Sequence, residues 1–145
     1  MYDASSKVSK NTSSLNECMF KGPSLSQLLL DVLLRFRLHP TAFICDLEKA
    51  FLQMIVNEKD RDALRFLWFK DPFSDDPKLV QLRFAVVLFG LNCAPFLLNG
   101  TIRHHLSQYA SQFPEDVSKM LRSFYVDDFA GGCANTADFS CCWKI

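Results

Sequence analysis

Two carboxylates, Asp127 and Asp128, interrupt an otherwise apolar run, Phe124-Tyr125-Val126-Asp127-Asp128-Phe129. Aliphatic and aromatic flanks set these acids against a core, where an unpaired charge costs several kcal/mol unless a cation compensates it. A divalent cation is the natural compensation. Mg²⁺ takes hard oxygen ligands and keeps waters and phosphate oxygens in its shell, so two or three protein carboxylates suffice. The same pair also suits an exposed acidic hairpin turn, because aspartate is a favoured turn residue. Another acid in a similar setting, Asp46, lies near the end of Thr41-Ala42-Phe43-Ile44-Cys45-Asp46-Leu47. Alone, it reads equally as a helix N-cap after a strand. If the two runs are neighbouring strands of one sheet, the acids converge. They can then hold two metal ions about 4 Å apart, the clamp on attacking and leaving oxygens in phosphoryl transfer.

The elements that must deliver these acids follow from periodicity. Thr41 to Leu47 puts Phe43, Cys45 and Leu47 on one face and Ala42, Ile44 and Asp46 on the other. Both faces are largely apolar, which predicts a strand buried on two sides. Ser123 to Asp127 and Phe129 to Cys133 predict two short strands meeting in a tight turn at Asp127-Asp128. Residues 1–23 are rich in Ser, Asn and Lys and read as loop with at most short extended pieces. Ser24-Leu25-Ser26-Gln27 reads as a capping box opening an amphipathic helix through Leu28, Leu29, Val32, Leu33 and Phe36, which His39-Pro40 ends. Glu48 to Gln53 and Glu58 to Ala63 predict helical turns, and Leu64 to Phe69 with Leu79 to Val87 a hairpin around a proline-containing loop. Pro95 opens a helix to about Tyr109 with Leu98, Ile102, Leu106 and Tyr109 inward, Pro114 starts a shorter one, and the tail from Ala134 begins another.

At 145 residues the chain can bury one core, so one domain of α/β (α+β) class is expected. A hydrophobic content of 49%, with 14 Phe, excludes the profile of a disordered chain. The net charge of +0 lacks the basic excess usual for nucleic-acid binding. The six cysteines form no C-x-x-C pair and no zinc spacing, which points to a reduced, intracellular chain. Nothing approaches the roughly 20 apolar residues of a membrane span, so no membrane partner is expected.

Three segments together resemble reverse transcriptases. Asp46 to Gln53 looks like motif A, Phe89-Gly90-Leu91-Asn92-Cys93-Ala94-Pro95 like motif B, and Tyr125 to Asp128 is a Y-x-D-D motif C, in the family's order. Arg61 to Trp68 and Pro95 to Leu106 are similar to the Pao/BEL retrotransposon branch in particular. The resemblance implies RNA-directed DNA synthesis, with Asp46 and Asp127 as ligands of two Mg²⁺ ions (or Mn²⁺), Asp128 beside them, and the Leu47 carbonyl completing one shell. It makes Phe51 a steric gate against ribose. Phe89, Gly90 and Pro95 shape the nucleotide pocket, Tyr125 faces the primer end, and Gln53 lies near the nucleic acid. The implied partners are an RNA or DNA template with primer and deoxynucleoside triphosphates, in the cytoplasm or a virus-like particle.

The resemblance covers roughly residues 2 to 132 and implies a polymerase palm with an RRM-like antiparallel sheet, helices on one face and partial fingers. The thumb and RNase H portions have no counterpart, and 134–145 is a divergent tail. Two other functions keep the same residues: an inactive remnant or domesticated nucleic-acid-binding module, and another palm-type nucleotidyl transferase. A structural protein with an acidic turn is a further alternative. Arg61, Arg65, Arg83 and Arg103 are candidate phosphate contacts or plain solvated surface. His104-His105 reads as helix surface or satisfied core, and Cys45 as core packing.

Overall fold

The computed structural model describes residues 2–134. In chain order these form helices α1 (Leu15–Cys18) and α2 (Leu29–Arg37), strand β1 (Thr41–Asp46), two 3₁₀ segments (Ala50–Gln53 and Glu58–Leu64), and strands β2 (Arg65–Phe69) and β3 (Leu79–Arg83). Helices α3 (Ala94–Ser107) and α4 (Pro114–Ser123) follow, then strands β4 (Phe124–Tyr125) and β5 (Asp128–Cys133). The class is α+β, with one three-stranded and one two-stranded sheet, both antiparallel. The chain divides into two compact units, each drawn from two separate stretches. No described helix is long and apolar enough to cross a membrane. The helix expected from Ala134 onward lies outside the described residues, apart from Ala134 itself.

One unit combines residues 2–21 with Phe51–Ala94. Its N-terminal stretch is not all loop as expected: Ser14 accepts from the Glu17 N–H while the Glu17 carboxylate accepts from the Ser14 N–H, a full capping box that starts α1. Strands β2 and β3 pair from Arg65↔Arg83 to Phe69↔Leu79. The second strand was expected to reach Val87 but ends at Arg83, because the backbone beyond it changes partner. Phe84 N–H makes the last bond of this ladder, to the Leu64 carbonyl, and past it Val56 N–H donates to the Ala85 carbonyl and Val87 N–H to that of Met54. Leu64, Val87, Leu88, Leu91 and Cys93 are buried in this unit, and Phe84 takes Phe66 on its face and Tyr2 at its edge.

Arg65 and Arg83 stand directly opposite each other across β2 and β3, and Asp62 separates their charges by taking one from each side, at 3.0 and 2.9 Å. Hydrogen bonds from Arg65, then Arg83, hold the Asp62 carboxyl below the ordinary carboxylate value. A depressed folded-state pKa means the stabilisation is complete above the unfolded value of about 3.9 and is lost as pH falls through the lower folded value. Asp62→Asn is therefore expected to be less stable than wild type at neutral pH. The two should converge in acid, which denaturant titrations at pH 7 and below pH 3 would show.

The other unit combines Gly22–Ala50 with residues 95–134. In its sheet, ordered β1-β5-β4, the central strand β5 pairs with β1 from Thr41↔Cys133 to Asp46↔Asp128 and with β4 through Phe124↔Phe129 and Tyr125↔Asp128. Phe43, Cys45, Phe124, Phe129 and Gly131 therefore share one face. On that face Phe124 joins Leu106 and Val117 in a buried cluster, and Phe129, Ile102, Tyr109, Met120 and Leu121 pack around it. Helix α3 keeps the inward residues that its sequence spacing predicts, with Leu98 and Leu106 buried.

Two expectations for this unit are corrected. Strand β1 is not buried on two sides: Ala42, Ile44 and Asp46 are exposed, Ile44 at 66%. Its apolar composition records the side chains but not what covers them. Helix α2 starts at Leu29, not at a Ser24 capping box, and Leu28 at its N-cap makes no side-chain bond. The Ser24–Gln27 stretch is not helical, and its polar groups serve α3: Ser26 Oγ accepts from Asn99, and the Leu25 carbonyl accepts from Arg103.

Candidate functional site

Strand register places two of the three acids. Asp46 and Asp128 are direct partners across β1 and β5. The Leu47 N–H donates to the Asp127 carbonyl at 3.1 Å. That bond joins the residue after Asp46 to the residue before Asp128, which makes Asp46↔Asp128 a non-hydrogen-bonded pair. In such pairs the Cα atoms are about 4.5 Å apart and the side chains are at their closest. Both aspartates are exposed, and Tyr125, the partner of Asp128 on β4, shares their face. This face lies opposite the one that carries Phe124 and Phe129.

Asp127 sits in the two-residue loop Val126-Asp127 that joins β4 to β5. The turn therefore falls one residue earlier than the expected Asp127-Asp128. Val126 has φ 57°, and Asp127 is not in the positive-φ region. Positive φ at the first loop position alone is the pattern of a type II′ turn, which matches strand twist but normally takes glycine there. A β-branched residue in this region is strained by about 1–3 kcal/mol. Val126→Gly removes the strain, with some offset from the extra freedom of glycine in the unfolded chain. It should leave stability unchanged or raise it by up to about 1 kcal/mol in chemical denaturation.

Among the described residues, no Lys, Arg or His forms an ion pair with Asp46, Asp127 or Asp128. Like charges directly opposed on a sheet are destabilising, so this pair is held at a cost that a divalent cation would remove. The donors suit such an ion: two hard carboxylates on an open face leave room for waters and phosphate oxygens. Among the described residues, no group of three or more His, Cys, Asp or Glu side chains is arranged to hold a metal ion. The arrangement is thus two carboxylates across the strands and a third in the adjoining turn. The Leu47 carbonyl, a further expected ligand, accepts from the Ala50 N–H at 3.1 Å. A carbonyl has a second lone pair for an ion. Cys45, next to Asp46, points to the packed face, where burial and then the Asp46 charge push its thiol upward.

Phe51, Phe89 and Gly90 belong to the other unit. Phe51 is buried and meets Phe89 edge to face, with ring centres 4.8 Å apart, while Phe89 is 60% exposed. Gly90 needs to be glycine for reasons inside the chain: φ is 93°, and a Cβ there would lie 3.3 Å from the Tyr2 carbonyl oxygen. Gln53 is exposed, and Pro95 is exposed in the first turn of α3. The four arginines hold protein atoms: Arg61 the Val56 carbonyl, Arg103 that of Leu25, and Arg65 and Arg83 the Asp62 carboxylate. His104 and His105 lie exposed on α3.

Sequence reasoning missed Asn16, which bonds to both Gly90 and Asn92. Nothing distinguishes it among the polar residues near the N-terminus, because its partners lie more than seventy positions away. No protein-family model and no curated protein matches this chain.

Proposed function

We propose that the chain is the palm and partial fingers of an RNA-directed DNA polymerase of the Pao/BEL reverse-transcriptase type, acting on a primer-template with deoxynucleoside triphosphates. The observation that carries this reading is the direct opposition of Asp46 and Asp128 on an open sheet face, one residue from Asp127 at a strained hairpin. Asp46 and Asp127, with Asp128 beside them, would hold Mg²⁺. The bound metal would supply charge stabilisation for the attacking 3′-oxygen and the departing pyrophosphate. Tyr125, which shares the acid face, would meet the primer end. Phe51, fixed against Phe89, is the residue to exclude a ribose 2′-hydroxyl.

Single-nucleotide addition to a primer, with deoxy- and ribonucleotides compared, tests this reading. The wild type should prefer the deoxynucleotide. Phe51→Val keeps an apolar side chain in a buried position, yet should lower that preference by about tenfold or more, the scale on which a pocket reads small steric differences. The preference is a ratio within one protein, so any loss of stability cancels. Ribonucleotide preference in the wild type would favour another palm-type polymerase, and no addition at all would favour a binding module without catalysis.

A further inference from the structure

We propose that Asn16 is a positioning residue: its carboxamide brackets the Phe89–Asn92 loop and sets the conformation in which that loop receives the nucleotide. The inference rests on the polymerase reading for the identity of the ligand. Its structural part rests on hydrogen bonds alone.

The loop needs such a bracket because no strand partner fixes it. Residues 89 and 90 form a turn with Gly90 in the left-handed region, and α3 does not begin until Ala94. One side chain supplies what a strand would have supplied. Asn16 Nδ2 donates to the Gly90 carbonyl at 2.9 Å, and Asn16 Oδ1 accepts from the Asn92 N–H at 2.9 Å. The Asn16 main-chain carbonyl takes the Asn92 Nδ2 as well. The second hydrogen of the Asn16 amide goes to Ser5 Oγ at 3.0 Å, and its backbone N–H goes to the Ala4 carbonyl at 3.0 Å. The loop is therefore tied to a stretch that is itself anchored, with Ala4 and Ser14 buried. Only a carboxamide offers a donor and an acceptor side by side. Aspartate keeps the acceptor for Asn92 but turns a negative oxygen toward the Gly90 carbonyl, and glutamine is one methylene too long. Gly90 directly follows Phe89, the exposed ring that leans on Phe51, so a loosened Gly90 carbonyl frees that ring.

The test uses the full chain and two readouts. Hydrogen exchange at the Asn92 amide should quicken about tenfold or more in Asn16→Ala and stay near wild type in Asn16→Asp. In single-nucleotide addition, KM for the deoxynucleotide should rise about tenfold in both variants, by more than kcat falls. Ser5→Ala, which removes a partner of the same carboxamide without touching the loop, should leave KM unchanged. Wild-type exchange at Asn92 in Asn16→Ala overturns the bracket. Faster exchange with an unchanged KM overturns the positioning role. A wild type that adds no nucleotide overturns the polymerase reading and the role of Asn16 within it. That result is told apart from failure of the Asn16 proposal alone, in which the wild type is active and the variant keeps its KM.

Discussion

Replacing Asp127 with asparagine is expected to cut Mg²⁺-dependent deoxynucleotide addition by about a thousandfold or more while the fold survives. Asparagine matches aspartate in size and is at home in turns, so the β4–β5 hairpin should keep its shape. What it lacks is the anionic oxygen. A metal that stabilises transition-state charge contributes several kcal/mol, and about 4 kcal/mol corresponds to a factor of a thousand. Primer extension under single-turnover conditions reads this directly, and activity that survives the substitution would belong to a contaminating polymerase. Asp46→Asn should lose activity to a similar extent but differ in stability. It relieves the opposition between Asp46 and Asp128 across the strands, so it should raise metal-free stability in urea by up to about 1 kcal/mol. Activity and stability moving in opposite directions on one substitution is the mark of residues kept for chemistry. A purely structural acidic turn would not show it.

The second large effect concerns the strand that carries Asp128. A Cβ at Gly132 would lie 2.4 Å from the His39 Cβ and 2.6 Å from the Thr41 carbonyl oxygen. Neither atom is the far end of a flexible side chain, so β1 or its approach must move. Overpacking of this kind costs about 1–3 kcal/mol, and Gly132→Ala should fall in the upper part of that range. Because Gly132 pairs with Ala42 in the same ladder that sets Asp46 against Asp128, the variant should weaken metal binding as well as stability. Gly100→Ala is the control. A Cβ there meets nothing within 4 Å, and the residue lies inside α3, so the change should stabilise by about 0.5–1 kcal/mol. Denaturant midpoints that move the same way in both variants would rule out the clash at Gly132.

What could be read in the sequence was local, and what could not depended on distant partners. The α3 spacing was legible because Leu98 and Leu106 recur on one face and Pro95 tolerates the first turn. The start of α2 was not. Ser24-Leu25-Ser26-Gln27 and Ser14-Leu15-Asn16-Glu17 satisfy the same capping pattern, and only the second forms a box. The polar groups of the first are drawn off by Asn99 and Arg103 from more than seventy residues away. The alternation along β1 was legible, but the exposure of Ile44 was not, since periodicity assigns faces without saying what covers them. For the candidate site, the resemblance pointed to Asp46, Asp127 and Asp128. The choice of Asp46 and Asp128 as the opposed pair came from register, which is fixed by a contact between segments some eighty residues apart. The turn at Val126-Asp127 was misplaced by one residue, because an Asp pair favours a turn without saying which of its members starts the strand.

Whether the three acids share a metal can be read by titrating the full chain with Mn²⁺ and following the aspartate carboxyl ¹³C resonances by NMR. Asp46, Asp127 and Asp128 should broaden together and before all other acids, and excess Mg²⁺ should restore them. Broadening that spares these three, or that falls first on the loop acids Asp71, Asp75 and Asp76, would rule out a shared metal site there.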